Sequence, residues 1–139
     1  MIPFVLDTDI LTLFQENHPA VVGHVLQHPR TDLAITVLSV EEQLSGWYTR
    51  LRRAKDVDDL ANVYNRITSA IESLARFPVL SFTKPSILRF QDLHRLKLGV
   101  GKMDLRIAAV VIEAGGTLVT RNKQDFRKIP GLQILDWSV

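Results

Sequence analysis

Three short, uninterrupted apolar runs set the frame for this chain, and a polar or charged residue stops each one. Ile2 to Leu6 ends at Asp7, Leu33 to Leu38 ends at Ser39, and Thr117 to Thr120 gives way to Arg121. A run of four to six apolar residues without alternation predicts a strand covered on both faces. Strands buried on both faces need helices on both sides, so the segments between them must be helical. The predicted class is α/β with a parallel sheet.

The intervening segments carry helical spacing. Ile10, Leu11, Leu13 and Phe14 follow Asp9 or Thr8 as cap, and Val21, Val22, Val25 and Leu26 follow Pro19. Ser39-Val40-Glu41-Glu42 matches a capping box and predicts a helix to about Ala54. Asp56 to Asp59 form a polar break, and apolar residues from Leu60 to Leu74 recur at threes and fours, predicting a helix from about Val57 to Arg76 and a hairpin with its predecessor. Val79 to Phe82 predicts a third strand, Pro85 the first turn of another helix, and Ile107 to Ala114 a further helix stopped by Gly115-Gly116. Leu132 to Leu135 completes a sheet of four to five strands within one domain spanning residues 1–139.

Ligands of parallel sheets collect at the carboxyl ends of strands, where helix N-termini also point. Four acids fall on that edge. Asp7 ends strand one, Glu42 lies near the helix start after strand two, Asp104 opens the helix before strand four, and Asp125 follows strand four within five residues of Thr120. Each has an ordinary alternative role: Asp7 and Asp104 as helix caps, Glu42 as the far side of the capping box, Asp125 as a loop acid. Together they define one pocket.

Composition narrows what the pocket can do. The 139 residues include no cysteine, which excludes disulfides, thiolate metal sites and cysteine nucleophiles. His18, His24, His28 and His94 stand in no ligand spacing and are expected on the surface. The apolar runs are too short to cross a membrane, and Met1-Ile2-Pro3-Phe4 lacks the basic start of a signal peptide, so a cytoplasmic, membrane-free protein is expected. The formal charge is only +2, yet setting the four acids aside leaves 17 basic side chains against 11 acidic ones. Arg50, Arg52, Arg53 and Lys55 cluster, as do Arg121, Lys123, Arg127 and Lys128. A basic surface around an acidic pocket suits a phosphate backbone.

Four converging carboxylates raise one another's pKa and call for a compensating cation. Hard oxygen donors suit Mg²⁺, or Mn²⁺, and such a site activates water against a phosphodiester.

The same residues resemble a known family. Phe4-Val5-Leu6-Asp7-Thr8-Asp9-Ile10-Leu11, Ser39-Val40-Glu41-Glu42-Gln43-Leu44-Ser45-Gly46, Gly101-Lys102-Met103-Asp104-Leu105-Arg106-Ile107-Ala108-Ala109, Leu118-Val119-Thr120-Arg121-Asn122-Lys123-Gln124-Asp125-Phe126, and Ile129-Pro130-Gly131-Leu132 running to Asp136-Trp137 follow in the order of the PIN-domain ribonucleases. The likeness is strongest to the VapC-like toxins of type II toxin–antitoxin systems. It implies a three-layer α/β/α fold and a Mg²⁺- or Mn²⁺-dependent ribonuclease. Asp7, Glu42, Asp104 and Asp125 would be the metal and catalytic residues, with Glu42 handling the attacking water. Thr8, Arg121 and Asn122 would lie on the substrate side, and Asn122 competes with Asp125 for the fourth corner. An RNA substrate, a cognate antitoxin and a homodimer are implied as partners. Asp9 stands where the family usually has Asn. Two rivals are a haloacid dehalogenase-like phosphatase using Asp7 and Asp9, and a catalytically silent PIN fold that only binds RNA or protein.

Overall fold

The computed structural model describes residues 3–139. Ile2, expected in the first strand, lies outside them. The chain runs β1 (Phe4–Leu6), α1 (Thr8–Gln15), α2 (Pro19–Leu26), a 3-10 turn at Arg30–Asp32, β2 (Leu33–Thr36), α3 (Val37–Arg53), α4 (Val57–Leu74), β3 (Val79–Leu80), α5 (Lys84–Arg95), α6 (Lys102–Glu113), β4 (Thr117–Val119), α7 (Lys123–Phe126) and β5 (Gln133–Leu135). The strands form one parallel sheet in the order β3-β2-β1-β4-β5. β1 is central, and the strand order reverses direction between β1 and β4, the position where parallel sheets open a crevice at their carboxyl edge.

Period-two alternation divides the sheet between two cores. Val5, Ala34 and Leu118 point to one face, where they meet α5, α6 and α7 through Leu93, Leu105, Ala108 and Phe126. Leu6, Leu33, Ile35 and Val119 point to the other, against Ile10, Leu11 and Phe14 of α1 and Val21 and Val25 of α2. This is the three-layer α/β/α arrangement. At the end of α6, Gly115 takes φ +67°, and a Cβ on Gly116 would stand 2.8 Å from the Pro3 carbonyl oxygen. Glycine is therefore required at both positions for the chain to turn from α6 into β4.

Three expectations are corrected. β2 stops at Thr36, and the Thr36 hydroxyl accepts from the Ser39 amide at 3.1 Å, so Thr36 is the N-cap of α3 and Ser39 is inside the helix. No capping box forms around Ser39 and Glu42. The first helix is capped by neither Thr8 nor Asp9 but by Asp7. Of the histidines, only His94 is exposed. His18 caps α2, and the rings of His24 and His28 stack on buried Trp137 at 5.4 and 4.9 Å. Among the described residues, no helix is long and apolar enough to cross a membrane.

Candidate active site

The crevice begins at Asp7. The Leu6↔Val119 register continues as the Asp7 amide donates to the Val119 carbonyl at 3.0 Å, which sets Asp7 beside Thr120 where both strands end. Its Oδ1 accepts from the Ile10 amide at 2.8 Å, capping α1. Asp7 is only 6% exposed. Burial, with added repulsion from Asp9 and Asp104, pushes its carboxyl up to about 6, against the opposing bonds from Thr120 and Ile10. The cap and the pocket therefore use the same side chain.

Thr8, the first residue of α1, ties this helix to α3. Its hydroxyl donates to Glu42 Oε1 at 2.5 Å and lies 2.9 Å from the Ser39 hydroxyl, itself fully buried. Freed from the capping box, Glu42 is oriented by Thr8, and its Oε2 has no hydrogen-bond partner among the described residues. Asp104 sits in the first turn of α6, half-buried. Burial raises its carboxyl, and Glu42 and Asp125 raise it further. Asp104 is thus the meeting point: it lies within the field of Asp7, Glu42 and Asp125.

The fourth corner is built by α7. Asn122 caps that short helix; its Oδ1 accepts from the Asp125 amide at 3.3 Å and its Nδ2 donates to Asp125 Oδ2 at 3.2 Å. Both ends of the Asn122 amide are spent on Asp125. Asp125 also lies 3.6 Å from the Lys128 ammonium. Arg121, expected on the substrate side, pairs with Asp9.

The acids are not packed into a ready-made cage. Among the described residues, no three acidic or imidazole groups stand close enough together to hold a metal ion as they are. Their chemistry nevertheless fits one. Asp9, Asp125 and Asp136 have basic partners, whereas Asp7, Glu42 and Asp104 have none among the described residues. Uncompensated hard oxygen donors suit a divalent cation such as Mg²⁺ or Mn²⁺.

Some neighbours carried no sequence signal. Asp136, the residue before Trp137, is half-buried. Burial would push it up, but bonds from the Ser138 amide (2.8 Å) and hydroxyl (2.6 Å), with Lys123 and Arg121 nearby, hold it below the usual carboxylate range. Farther along the α1–α3 seam, the amides of Gln15 and Gln43 bond reciprocally at 3.0 and 2.9 Å. Beyond them opens a cavity of about 660 Å³ that includes Trp47, with the Arg50 and Arg66 guanidinium carbons 4.8 and 5.7 Å from its ring.

Residues 4–132 match the PIN domain family model. Ribonuclease VapC1 of Haemophilus influenzae (strain R2866) is 24% identical, over 97% of this chain and 98% of that protein. Ribonuclease VapC1 of Rickettsia felis is 41% identical over 47 residues, which is 34% of this chain and only 35% of that relative's length. The solved structure of VapBC-1 from nontypeable Haemophilus influenzae superposes with a TM-score of 0.79 at 24% identity, covering 100% of both chains. That likeness is one of fold.

Proposed function

This chain belongs to the PIN domain family, and from that premise we propose that it is a metal-dependent endoribonuclease, the toxin half of a toxin–antitoxin pair. Its relatives carry the name Ribonuclease VapC1, and a structural neighbour is VapBC-1. The observation that carries the reading is the placement of Asp104 in the field of Asp7, Glu42 and Asp125, with no basic group paired to the first three.

Asp7, Asp104 and Asp125 would hold Mg²⁺ or Mn²⁺, with Glu42 beside them. When bound, such an ion lowers the pKa of water and offsets charge developing on phosphate. The chain supplies the rest. Burial of Asp7 excludes bulk water from the floor of the site. Thr8 fixes one oxygen of Glu42, leaving Oε2 to orient a water and accept its proton. Asn122 holds the Asp125 carboxylate toward the pocket. The rim residues Lys123, Arg127 and Lys128 favour an RNA backbone. An antitoxin would suppress the activity, and the protein would act as a homodimer. The half-exposed apolar side chains of α3 and α4, among them Leu44, Tyr48 and Tyr64, offer surface for such partners.

The test pairs substrates with metal. Labelled RNA and a phosphomonoester are each incubated with the protein in Mn²⁺ and in chelator. Metal-dependent RNA cleavage without phosphatase activity is expected. Glu42→Gln should lower the cleavage rate by roughly 10²–10⁴, the usual share of a positioned base, and Asp7→Asn and Asp104→Asn should abolish it. Phosphomonoester hydrolysis would revive the phosphatase reading. Metal-dependent RNA binding without cleavage would favour a silent domain, and unchanged cleavage by both Asn variants would remove this site.

A further inference from the structure

At the mouth of the acid pocket, two side chains 112 positions apart make a two-point contact. Arg121 Nε donates to Asp9 Oδ2 at 2.7 Å and its Nη2 to Asp9 Oδ1 at 3.1 Å. The parallel pairing of β1 with β4 delivers both to the same edge: Asp9 follows Thr8 in the first turn of α1, and Arg121 follows Thr120 beyond β4. The side chains are 47% and 49% exposed, so the pair lies on the rim and not in the core. Ion pairs this exposed contribute little to stability, and an added carboxylate two residues from Asp7 only raises Asp7 further. Stability and site electrostatics therefore both leave Asp9 unexplained.

The geometry of the guanidinium supplies a reason. Its fork carries five N–H groups, and the pair with Asp9 uses one on Nε and one on Nη2. Three N–H groups remain, on a plane whose orientation is set by two bonds. An Asn here would offer one acceptor oxygen, and its amide N–H would face an Arg N–H. A carboxylate accepts both donors, which accounts for Asp at a position where the family resemblance expects Asn.

We propose that Asp9 is a positioning residue that holds Arg121 at the mouth of the pocket so that its remaining N–H edge takes a backbone phosphate of the RNA strand. This rests on the nuclease reading above. Arg121 is the group that touches substrate, and Asp9 acts through it. Simple charge counting gives the opposite sign for Asp9, because removing a carboxylate from a surface that binds RNA should tighten binding.

Cleavage of a fluorescent RNA oligonucleotide is measured with the full chain in Mn²⁺ across a series of salt concentrations. Arg121→Ala should raise KM about tenfold, and the dependence of log KM on log salt should become shallower by about 0.7, the contribution of one phosphate on a single strand. Asp9→Ala should raise KM severalfold despite the lost negative charge, with the change in KM and not in kcat. Asp9→Asn, keeping one acceptor, should fall between Asp9→Ala and wild type, and Arg121→Lys should not restore the wild-type KM. The double variant should be no worse than Arg121→Ala alone. An Asp9→Ala variant whose KM is unchanged or lower overturns the proposal, as does additivity of the two Ala changes. Anisotropy of the same RNA in chelator separates this from the nuclease reading. RNA bound in chelator but never cut in Mn²⁺ counts against the nuclease, whereas binding indifferent to both Ala variants counts against Asp9 and Arg121.

Discussion

Helices α6 and α4 divide the work of this molecule unequally. In its 12 residues α6 buries six, including Leu105, Ile107, Ala108 and Val111, while the 18 residues of α4 bury only Val63 and Ala70. α6 packs its buried side chains into the core shared with Val5 and Leu118 of the sheet and Leu93 of α5, so its axis is held and Asp104 in its first turn inherits that rigidity. α4 touches the molecule along one stripe and presents Leu60, Tyr64 and Ile71 to solvent. Glu42 belongs to α3, which bridges the two regimes. Its first turns join the core through Leu38 and Ser39, and its far end carries Trp47 and the arginines beside α4. Asp104 and Glu42 are thus anchored on helices that reach the packed core, and the exposed apolar surface is on the helices that the core does not need.

The largest expected effect follows directly from that contrast. Ile107→Ala, at a position 1% exposed, should cost about 3–4 kcal/mol in urea unfolding through lost packing and a cavity. Ile71→Ala, at 55% exposed, should stay within about 0.5 kcal/mol. If the Ile71 variant is strongly destabilised only at high protein concentration, α4 is an interface in solution. Equal losses at both sites at all concentrations would break the contrast.

A second effect concerns the floor of the pocket. The Asp7 carboxyl sits at about 6 in the folded protein against 3.8 unfolded. Well below pH 3.8 it is protonated in both states and costs nothing. As pH rises from 4 to 6 the unfolded state releases its proton first, so folding stability falls, and above 6 the full penalty applies. Asp7→Asn keeps the cap on Ile10 and removes the charge. Without metal it should be more stable than wild type by about 3 kcal/mol at pH 8, with most of the gain gone by pH 4. Urea unfolding in chelator at the two pH values checks this, and a constant difference would show that the charge is not its source.

The smallest effect probes the joint between α1 and α3. Thr8→Val removes the bonds to Ser39 and Glu42 while keeping the shape. It should cost about 1–2 kcal/mol and lower kcat for RNA cleavage more than KM, because the free Glu42 side chain loses its orientation. Cleavage kinetics together with a melting curve distinguish this from general loosening. An unchanged kcat would mean that Thr8 serves only the fold.

The sequence by itself determined the class, the parallel sheet and the residues that reach its carboxyl edge. Apolar runs ending at Asp7 and near Thr120, and a helix with Asp104 in its first turn, are local patterns, and the backbone that makes strands and helices responds to local patterns. It misread junctions where two rules compete. Val37 and Leu38 extended the apolar run of β2, yet the Thr36 hydroxyl captured the Ser39 amide and started α3 three residues sooner, which released Glu42 from the cap and gave it to Thr8. His24 and His28 looked like surface residues because nothing near them in the chain covers them; Trp137 does so from more than a hundred positions away. The pairing of Asp9 with Arg121 was likewise decided only by the tertiary structure. Hydrogen bonds and ion pairs depend on distance in space, and the chain brings residues 9 and 121 together only after β1 and β4 have paired.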